Sequence, residues 1–194
     1  MSDKDADRKR VLGIVGSPRR SGNTEILVDE VLRGAQEAGA SVEKVILSKL
    51  DIAPCLACGG CERKSQCVQE DDMPTLLGKM RRSQVWVFGT PIYYWGPTAQ
   101  FKAFMDRWYG AGGAVTFKGR RIVLTVPLGD ANPAVARHTV GMFTDALNYV
   151  GAELFATIVA PGVFDRGKVR EHPDVLMAAY HAGQEAIQNN RKSQ

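Results

Sequence analysis

Outside the thirteen residues from Cys55 to Cys67 the chain contains no cysteine. It also has only three histidines, no apolar run near the roughly 18 residues of a membrane span, and no block of like charge. Each absence removes a class of function. His138, His172 and His181 are scattered and form no evident metal pair, so each reads as a surface or helix residue. Without a span, no membrane association is expected. Lys and Arg alternate with Asp and Glu, and the net charge is only +4, so no basic track is offered to a nucleic acid. The opening MSDKDADRKR carries seven charges in ten residues and lacks the apolar centre of a secretory signal. Residues 1–9 therefore read as a disordered tail, and the chain as a cytoplasmic protein. Two nucleotide signatures are missing as well. The first glycine loop lacks the Lys-Ser or Lys-Thr of a Walker A loop, and no GxGxxG occurs.

What remains is 194 residues, 44% of them hydrophobic, enough for one core and one domain over 10–194. Val11 to Gly16 is a short apolar run of the kind that forms a strand buried on both faces. From Thr24, residues Leu27, Val28, Val31, Leu32, Ala35 and Ala38 recur at helical spacing, and Gly39 supplies the stop. The alternation continues with strand Val42–Leu47, a cysteine-bearing insertion at 54–68, a helix opened by Asp72 and Pro74, and strand Val85–Phe88. Next come a helix opened by Pro97 and Thr98, strand Arg121–Val126, a helix from about Pro133 to Tyr149, strand Leu154–Val159 and a helix from Pro173. Five strands alternating with five helices predict an α/β fold, because each parallel connection needs a crossover. The expected form is a flavodoxin-like doubly wound parallel sheet, order 2-1-3-4-5, with helices on both faces. Residues 160–171 read as a surface connection.

In such a sheet ligands sit at the carboxyl ends of the strands, so the loops after Gly16, Gly89 and Val126 should carry the chemistry. The first, GSPRRSGNT at 16–24, combines hydroxyls with a helix start, the donors a phosphate needs. The bland alternative is a Gly/Ser turn capping a helix. The second, GTPIYYWGP at 89–97, sets Tyr93, Tyr94 and Trp95 between prolines. That surface suits a flat apolar cofactor such as a flavin, and equally a subunit interface. The third contains Leu128, Gly129 and Asp130, suited to passing close to a ring edge.

In a reducing compartment clustered cysteines are more often metal ligands or redox groups than disulfides. Cys55, Cys58, Cys61 and Cys67 form C-x2-C-x2-C-x5-C. Three thiolates spaced by three, plus a fourth, can complete the shell of a cubane cluster. Gly59 and Gly60 would allow close backbone approach, and Arg63 and Lys64 would offset its charge. A four-thiolate zinc site and free or reversibly oxidised thiols are the other chemistries open to this spacing.

GSPRRSGNT at 16–24, GTPIYY at 89–94 and QFKAFMDRW at 100–108 resemble the flavodoxin-like NAD(P)H-dependent FMN reductase family over nearly the whole chain. The cysteine run, followed by Glu70-Asp71-Asp72-Met73, is most like that of the iron-sulfur flavoproteins. The resemblance implies FMN, with its phosphate on Ser17, Arg19, Ser21, Gly22, Asn23 and Thr24. It implies a ring lying along Thr90, Pro91, Ile92, Tyr93, Tyr94 and Trp95 and passing Leu128, Gly129 and Asp130. A 4Fe-4S cluster on Cys55, Cys58, Cys61 and Cys67 and a homodimer or homotetramer are also implied.

The function expected on this basis is a flavin oxidoreductase that couples a two-electron donor to one-electron acceptors. NAD(P)H or a ferredoxin would be the donor, and a small molecule the acceptor. The flavin would be the redox centre, so no side chain is nominated as nucleophile, acid or base. Two alternatives stand beside it: a cluster-free NAD(P)H-dependent FMN or quinone reductase, and a non-enzymatic flavin carrier or sensor. Asp106 and Arg107 read as a packing or partner contact, and Trp108 to Gly113 as a mobile loop near the cofactor edge.

Overall fold

The computed structural model describes residues 8–111 and 117–188. Residues 1–7 of the expected tail, and Gly112 and Gly113, lie outside them. Lys9 is already fastened, its ammonium donating to the Ile187 carbonyl at 2.8 Å and its carbonyl accepting from Ser41 N–H.

Five parallel strands form one sheet in the order β2-β1-β3-β4-β5, as the alternation predicts. They are β1 (Arg10–Val15), β2 (Ser41–Ile46), β3 (Val85–Gly89), β4 (Arg121–Pro127) and β5 (Glu153–Ala160). Helices α1 (Asn23–Glu37) and α6 (Pro173–Ile187) cover one face; α3 (Met73–Arg82), α4 (Ala99–Asp106) and α5 (Arg137–Val150) cover the other. A sixth helix, α2 (Gly60–Lys64), lies inside the cysteine insertion. Its sequence GCERK has no apolar period, so hydrophobic patterning does not reveal it. The expected helix from Pro133 begins as a 3-10 turn, Pro133–Ala136, before α5.

Near-continuous burial holds for the central strands β1, β3 and β4, whereas the edge strands β2 and β5 are only partly covered. The two faces differ in residue size, because strand side chains alternate between them. Leu12, Ile14, Trp86, Phe88, Ile122 and Leu124 meet Phe101, Phe104, Trp108 and Phe143 on one side. Val11, Val15, Val85, Val87 and Val123 meet α1 and α6 on the other. The aliphatic side is thin because α1 and α6 touch through glycine. A Cβ on Gly34 would fall 2.0 Å from the Tyr180 carbonyl oxygen, and one on Gly183 2.0 Å from that of Val31. This contact seats α1, and with it the loop that precedes α1 at the sheet's carboxyl edge.

Candidate functional site

The carboxyl ends of the strands are tied to one another by backbone hydrogen bonds. Gly16 N–H donates to Gly89 O at 2.7 Å, Thr90 N–H to Thr125 O at 3.0 Å, and Leu128 N–H to Ala160 O at 2.9 Å. Thr98 adds a side-chain tie, donating from Oγ1 to Gly16 O at 2.6 Å while capping α4 at Phe101 N–H. Above these ends opens a cavity of about 380 Å³, within the size range of small-molecule sites.

Seven predicted loop residues line it directly, Ser17, Arg19, Gly22, Asn23, Thr24, Pro91 and Ile92, and Tyr93, Leu128, Gly129 and Asp130 complete the predicted part of the wall. Ser21, Thr90, Tyr94 and Trp95 are not part of the lining. Ser21 adopts a left-handed φ of 52° and gives its N–H to the Glu25 carboxylate. Thr90 is buried, its hydroxyl accepting from Thr98 N–H and donating to Pro91 O. Tyr94 and Trp95 form the tip of a two-residue hairpin closed by Tyr93 and Gly96. Their φ values are 48° and 62°, and Tyr94 is 98% exposed.

The segment read as a surface connection is instead part of the cavity: Val163, Phe164 and Arg166 line it. Asn23 makes this so. Its amide donates to Val163 O at 2.7 Å and Asp165 O at 2.8 Å and accepts from Val169 N–H at 3.1 Å. That side chain is fully engaged in holding the 163–169 loop against the start of α1, which leaves Ser17, Thr24, Arg19 and backbone N–H groups to meet an anion. Arg19 reaches the same loop, donating to Phe164 O at 3.2 Å with its guanidinium 5.8 Å from the Phe164 ring centroid. Contacts between residues some 140 positions apart leave no local pattern, although the buried-looking Val163 and Val169 within a polar loop are a faint sequence signal.

Polar donors stand at the N-terminal end of the 15-residue α1, and Pro91, Ile92, Tyr93, Leu128 and Phe164 form an apolar remainder. Phosphate chemistry at one end and a flat apolar surface at the other fit FMN. The shape of the wall depends on close approach at Gly129, where a Cβ would meet Phe164 Cδ2 at 2.8 Å.

A second cavity, about 430 Å³, lies within the cysteine insertion and brings together Cys55, Cys58, Cys61 and Cys67. All four thiols are free, the first two exposed and the others half-buried. Among the described residues no three His, Cys, Asp or Glu side chains converge as a ready metal site. The donor set nevertheless fits an iron–sulfur cluster in kind: four thiols, and no other soft ligand, around a space far larger than one ion requires.

The segment after α4 is not the expected loose loop over its described part. Arg107–Ala111 is a 3-10 turn in which Arg107, Trp108, Gly110 and Ala111 are buried. Gly110 O accepts from Cys67 N–H at 3.1 Å, and a Cβ on Gly110 would meet Cys67 Cβ at 3.1 Å. Asp106 and Arg107 part company. Asp106 pairs with Lys102 on the surface, whereas Arg107, 1% exposed, forms a two-pronged ion pair with the equally buried Asp71. Burial pushes the Asp71 carboxyl up, but the Arg107 fork and Met73 N–H outweigh it and hold its pKa below the usual value. Cys67 follows the same logic: burial raises its pKa, while Gln69 N–H and the Arg107 cation together bring it below the ordinary thiol value.

The chain and its fold have counterparts. An NADPH-dependent FMN reductase family model matches residues 9–160. An iron-sulfur flavoprotein of Archaeoglobus fulgidus is 40% identical over 111 residues, covering 57% of this chain and 50% of that protein. One of Methanocaldococcus jannaschii is 39% identical over 98 residues, covering 50% and 51%. The chain thus spans about half the length of the curated relatives it matches. Among solved structures, a flavone reductase superposes with a TM-score of 0.72 at 22% identity over 95% of this chain and 65% of that one. The NAD(P)H:quinone oxidoreductase of Methanothermobacter marburgensis gives 0.71 at 18% identity over 95% and 100%, so both share the fold. With 152 consecutive residues matched, the chain belongs to the NADPH-dependent FMN reductase family.

Proposed function

We propose that the protein is an FMN-dependent oxidoreductase of the iron-sulfur flavoprotein kind, using NAD(P)H or a ferredoxin as donor and passing electrons to a small-molecule acceptor. The observation that carries the proposal is the coexistence of the two cavities, one polar at a helix start and apolar beyond, the other surrounded by all four cysteines of the chain.

Bound FMN would supply exchange between two-electron and one-electron chemistry, and a cluster on Cys55, Cys58, Cys61 and Cys67 one-electron transfer. The chain's own residues bind and orient. Ser17, Thr24 and Arg19 would hold the phosphate with the α1 N-terminal N–H groups, and Asn23 fixes the wall that closes this end. Pro91, Ile92, Tyr93 and Leu128 to Asp130 would hold the ring, with Phe164 packed over Gly129. Ser21, Thr90, Tyr94 and Trp95 act through the loops they shape. The exposed Tyr94 and Trp95, held in strained backbone, suit a homodimer or homotetramer contact. No helix among the described residues is long and apolar enough to cross a membrane, which is compatible with the cytoplasmic setting we assign.

Protein purified without oxygen should show resolved flavin bands above a broad absorbance, with about four irons and four labile sulfides per chain. Flavin without iron would sink the cluster and leave a cluster-free NAD(P)H-dependent reductase. That second reading is favoured by one observation: among the described residues no three of the thiols stand close enough to hold a metal ion as they are.

A further inference from the structure

Among the non-ligand side chains that line the cysteine cavity, one is both charged and buried, and the flavin site does not require it. Arg107 is almost completely buried at the cavity wall, and its guanidinium makes three kinds of contact. It forks onto Asp71, with Nη2 to Oδ1 at 3.2 Å and Nη1 to Oδ2. Nη1 also donates to Ala53 O at 2.9 Å, and Nη2 lies 3.4 Å from Cys67 Sγ, within the range of an N–H···S hydrogen bond. Its Nε–H, also buried, has no partner among the described residues. Asp71 in turn accepts from Ala53 N–H at 3.3 Å and Met73 N–H at 3.0 Å. The pair therefore grips the insertion at both ends, at Ala53 before Cys55 and at the last cysteine, Cys67, and Met73 beyond it.

A buried cation that reaches a ligand sulfur with an N–H has an electrical consequence that exposed cations lack. The other basic groups of the insertion, Arg63 and Lys64, are exposed on α2, where water and salt screen them. Arg107 sits in a medium that weakens its field far less, and its planar fork is held rigidly by Asp71. The potential of a thiolate-bound iron–sulfur centre is governed by net charge, hydrogen bonds to sulfur and solvent exposure. Because Asp71 balances its charge, Arg107 acts on the second, through its N–H to Sγ, and adds the dipole of an ion pair whose positive end faces the sulfur.

We infer that Arg107, oriented by Asp71, is the positioning residue that raises the reduction potential of the centre held by Cys67 and its three partners. The inference rests on the four-thiolate cluster reading given above. In the step concerned, the centre takes one electron from an added reductant, its net charge becomes one unit more negative, and no bond is made or broken. The Nη2–H donor and the positive end of the buried ion pair, which faces the sulfur, favour that more negative product. Removing both should disfavour reduction by at least tenfold, which is about 59 mV toward more negative potential for one electron.

The test is an anaerobic dithionite titration at controlled potential, followed by electron paramagnetic resonance, on reconstituted full-length protein whose iron content has been measured. Arg107→Lys keeps the charge but loses the fork. Arg107→Met combined with Asp71→Asn removes the whole ion pair, and with it the N–H donor to sulfur, without changing net charge or leaving a carboxylate buried alone. Arg63→Gln serves as the exposed control. With about four irons bound per chain, the double variant should shift by tenfold or more, Arg107→Lys less in the same direction, and Arg63→Gln by less than twofold. Should the double variant fail to fold, as judged by circular dichroism, Arg107→Lys alone decides. Iron-replete variants with the wild-type midpoint would overturn the inference, as would an Arg63→Gln shift as large as that of the Arg107 variants. Wild-type protein that takes up no iron would show instead that the cluster reading itself has failed, and this inference with it, before any variant is compared.

Discussion

The two cavities are of similar size but are built on different foundations. The one above the sheet is closed by strand ends already fixed by ladder hydrogen bonds, and its loops are joined base to base by Gly16, Thr90 and Leu128. The one in the cysteine insertion has no strand within its wall, only a five-residue helix, a 3-10 turn and loop, gathered around Arg107 and Asp71. In the first, structure is distributed over many backbone contacts; in the second, one buried ion pair carries most of it, beside a few bonds such as that of Cys67 N–H to Gly110 O. A single substitution should therefore damage the second far more than the first.

The sharpest way to break that contrast is Asp71→Asn. It leaves the Arg107 cation buried without its counter-charge, a change that typically costs about 3–5 kcal/mol. Urea unfolding of the protein should show a loss of that order, with the half-buried Cys61 and Cys67 becoming reactive before the sheet melts. Acid gives the same result without mutation. Because Asp71 has a depressed pKa in the folded protein, its contribution is fully present above the ordinary carboxyl value of about 3.9 and is lost as pH falls through the folded value. Stability of the wild type should thus fall more steeply below about pH 4 than that of Asp71→Asn. Parallel curves would mean that the pair does not carry the insertion.

Asn23→Ala asks whether the first cavity has any comparable single support. Three hydrogen bonds to the 163–169 loop are removed, two of them to carbonyls, of which Asp165 O keeps a second donor in Lys168 N–H. At about 1 kcal/mol each, the expected loss is smaller than for Asp71→Asn, roughly 2–3 kcal/mol, and FMN affinity should fall with it. Calorimetry of FMN binding would check the second point. An unchanged dissociation constant would separate the loop from the site.

The same contrast explains what the sequence made legible. Strand and helix positions were readable because buried strands and amphipathic helices repeat a pattern every few residues, as in Leu27, Val28, Val31 and Leu32 of α1. The sheet order followed, since parallel strands need crossovers. The cysteine spacing was readable because it is local. Arg107 was not: beside Asp106 it looks like half of an exposed pair, and only the approach of residue 71, distant in the chain, gives it a buried partner. Asn23 was placed among phosphate ligands because loop composition does not reveal a tie to residues 163, 165 and 169. Helix α2 escaped because it is polar throughout, opened by Gly59 at φ 66° rather than by an apolar stripe.

Gly129→Ala probes the apolar part of the first cavity without touching its hydrogen bonds. The added methyl would press on the Phe164 ring, which is 70% exposed and free to swing outward. Stability should change little, because a flexible surface side chain yields at small cost. If Phe164 helps to cover the flavin, the FMN dissociation constant should rise about tenfold, or about 1.4 kcal/mol. Phe164→Ala should reproduce that loss, and combining the two should add little, since both remove the same contact.

The smallest expected effect has the opposite sign. Tyr94 and Trp95 occupy the two central positions of a hairpin turn where φ must be positive, a place normally taken by Asn and Gly. Tyr94 buries almost nothing in return, so its strain is not repaid within the chain. Tyr94→Asn should accordingly raise the stability of the isolated subunit by about 0.5–1 kcal/mol, seen as a higher urea midpoint with an unchanged slope. If the aromatic turn is kept for contact with a second copy, the same variant should assemble less well, and light scattering over a dilution series should show the oligomer dissociating at higher concentration. A variant that is more stable and assembles as the wild type does would leave the strained turn without that role. A variant that is less stable would mean that Tyr94 packs against something in solution even at high dilution, and that the strain is repaid within the subunit after all.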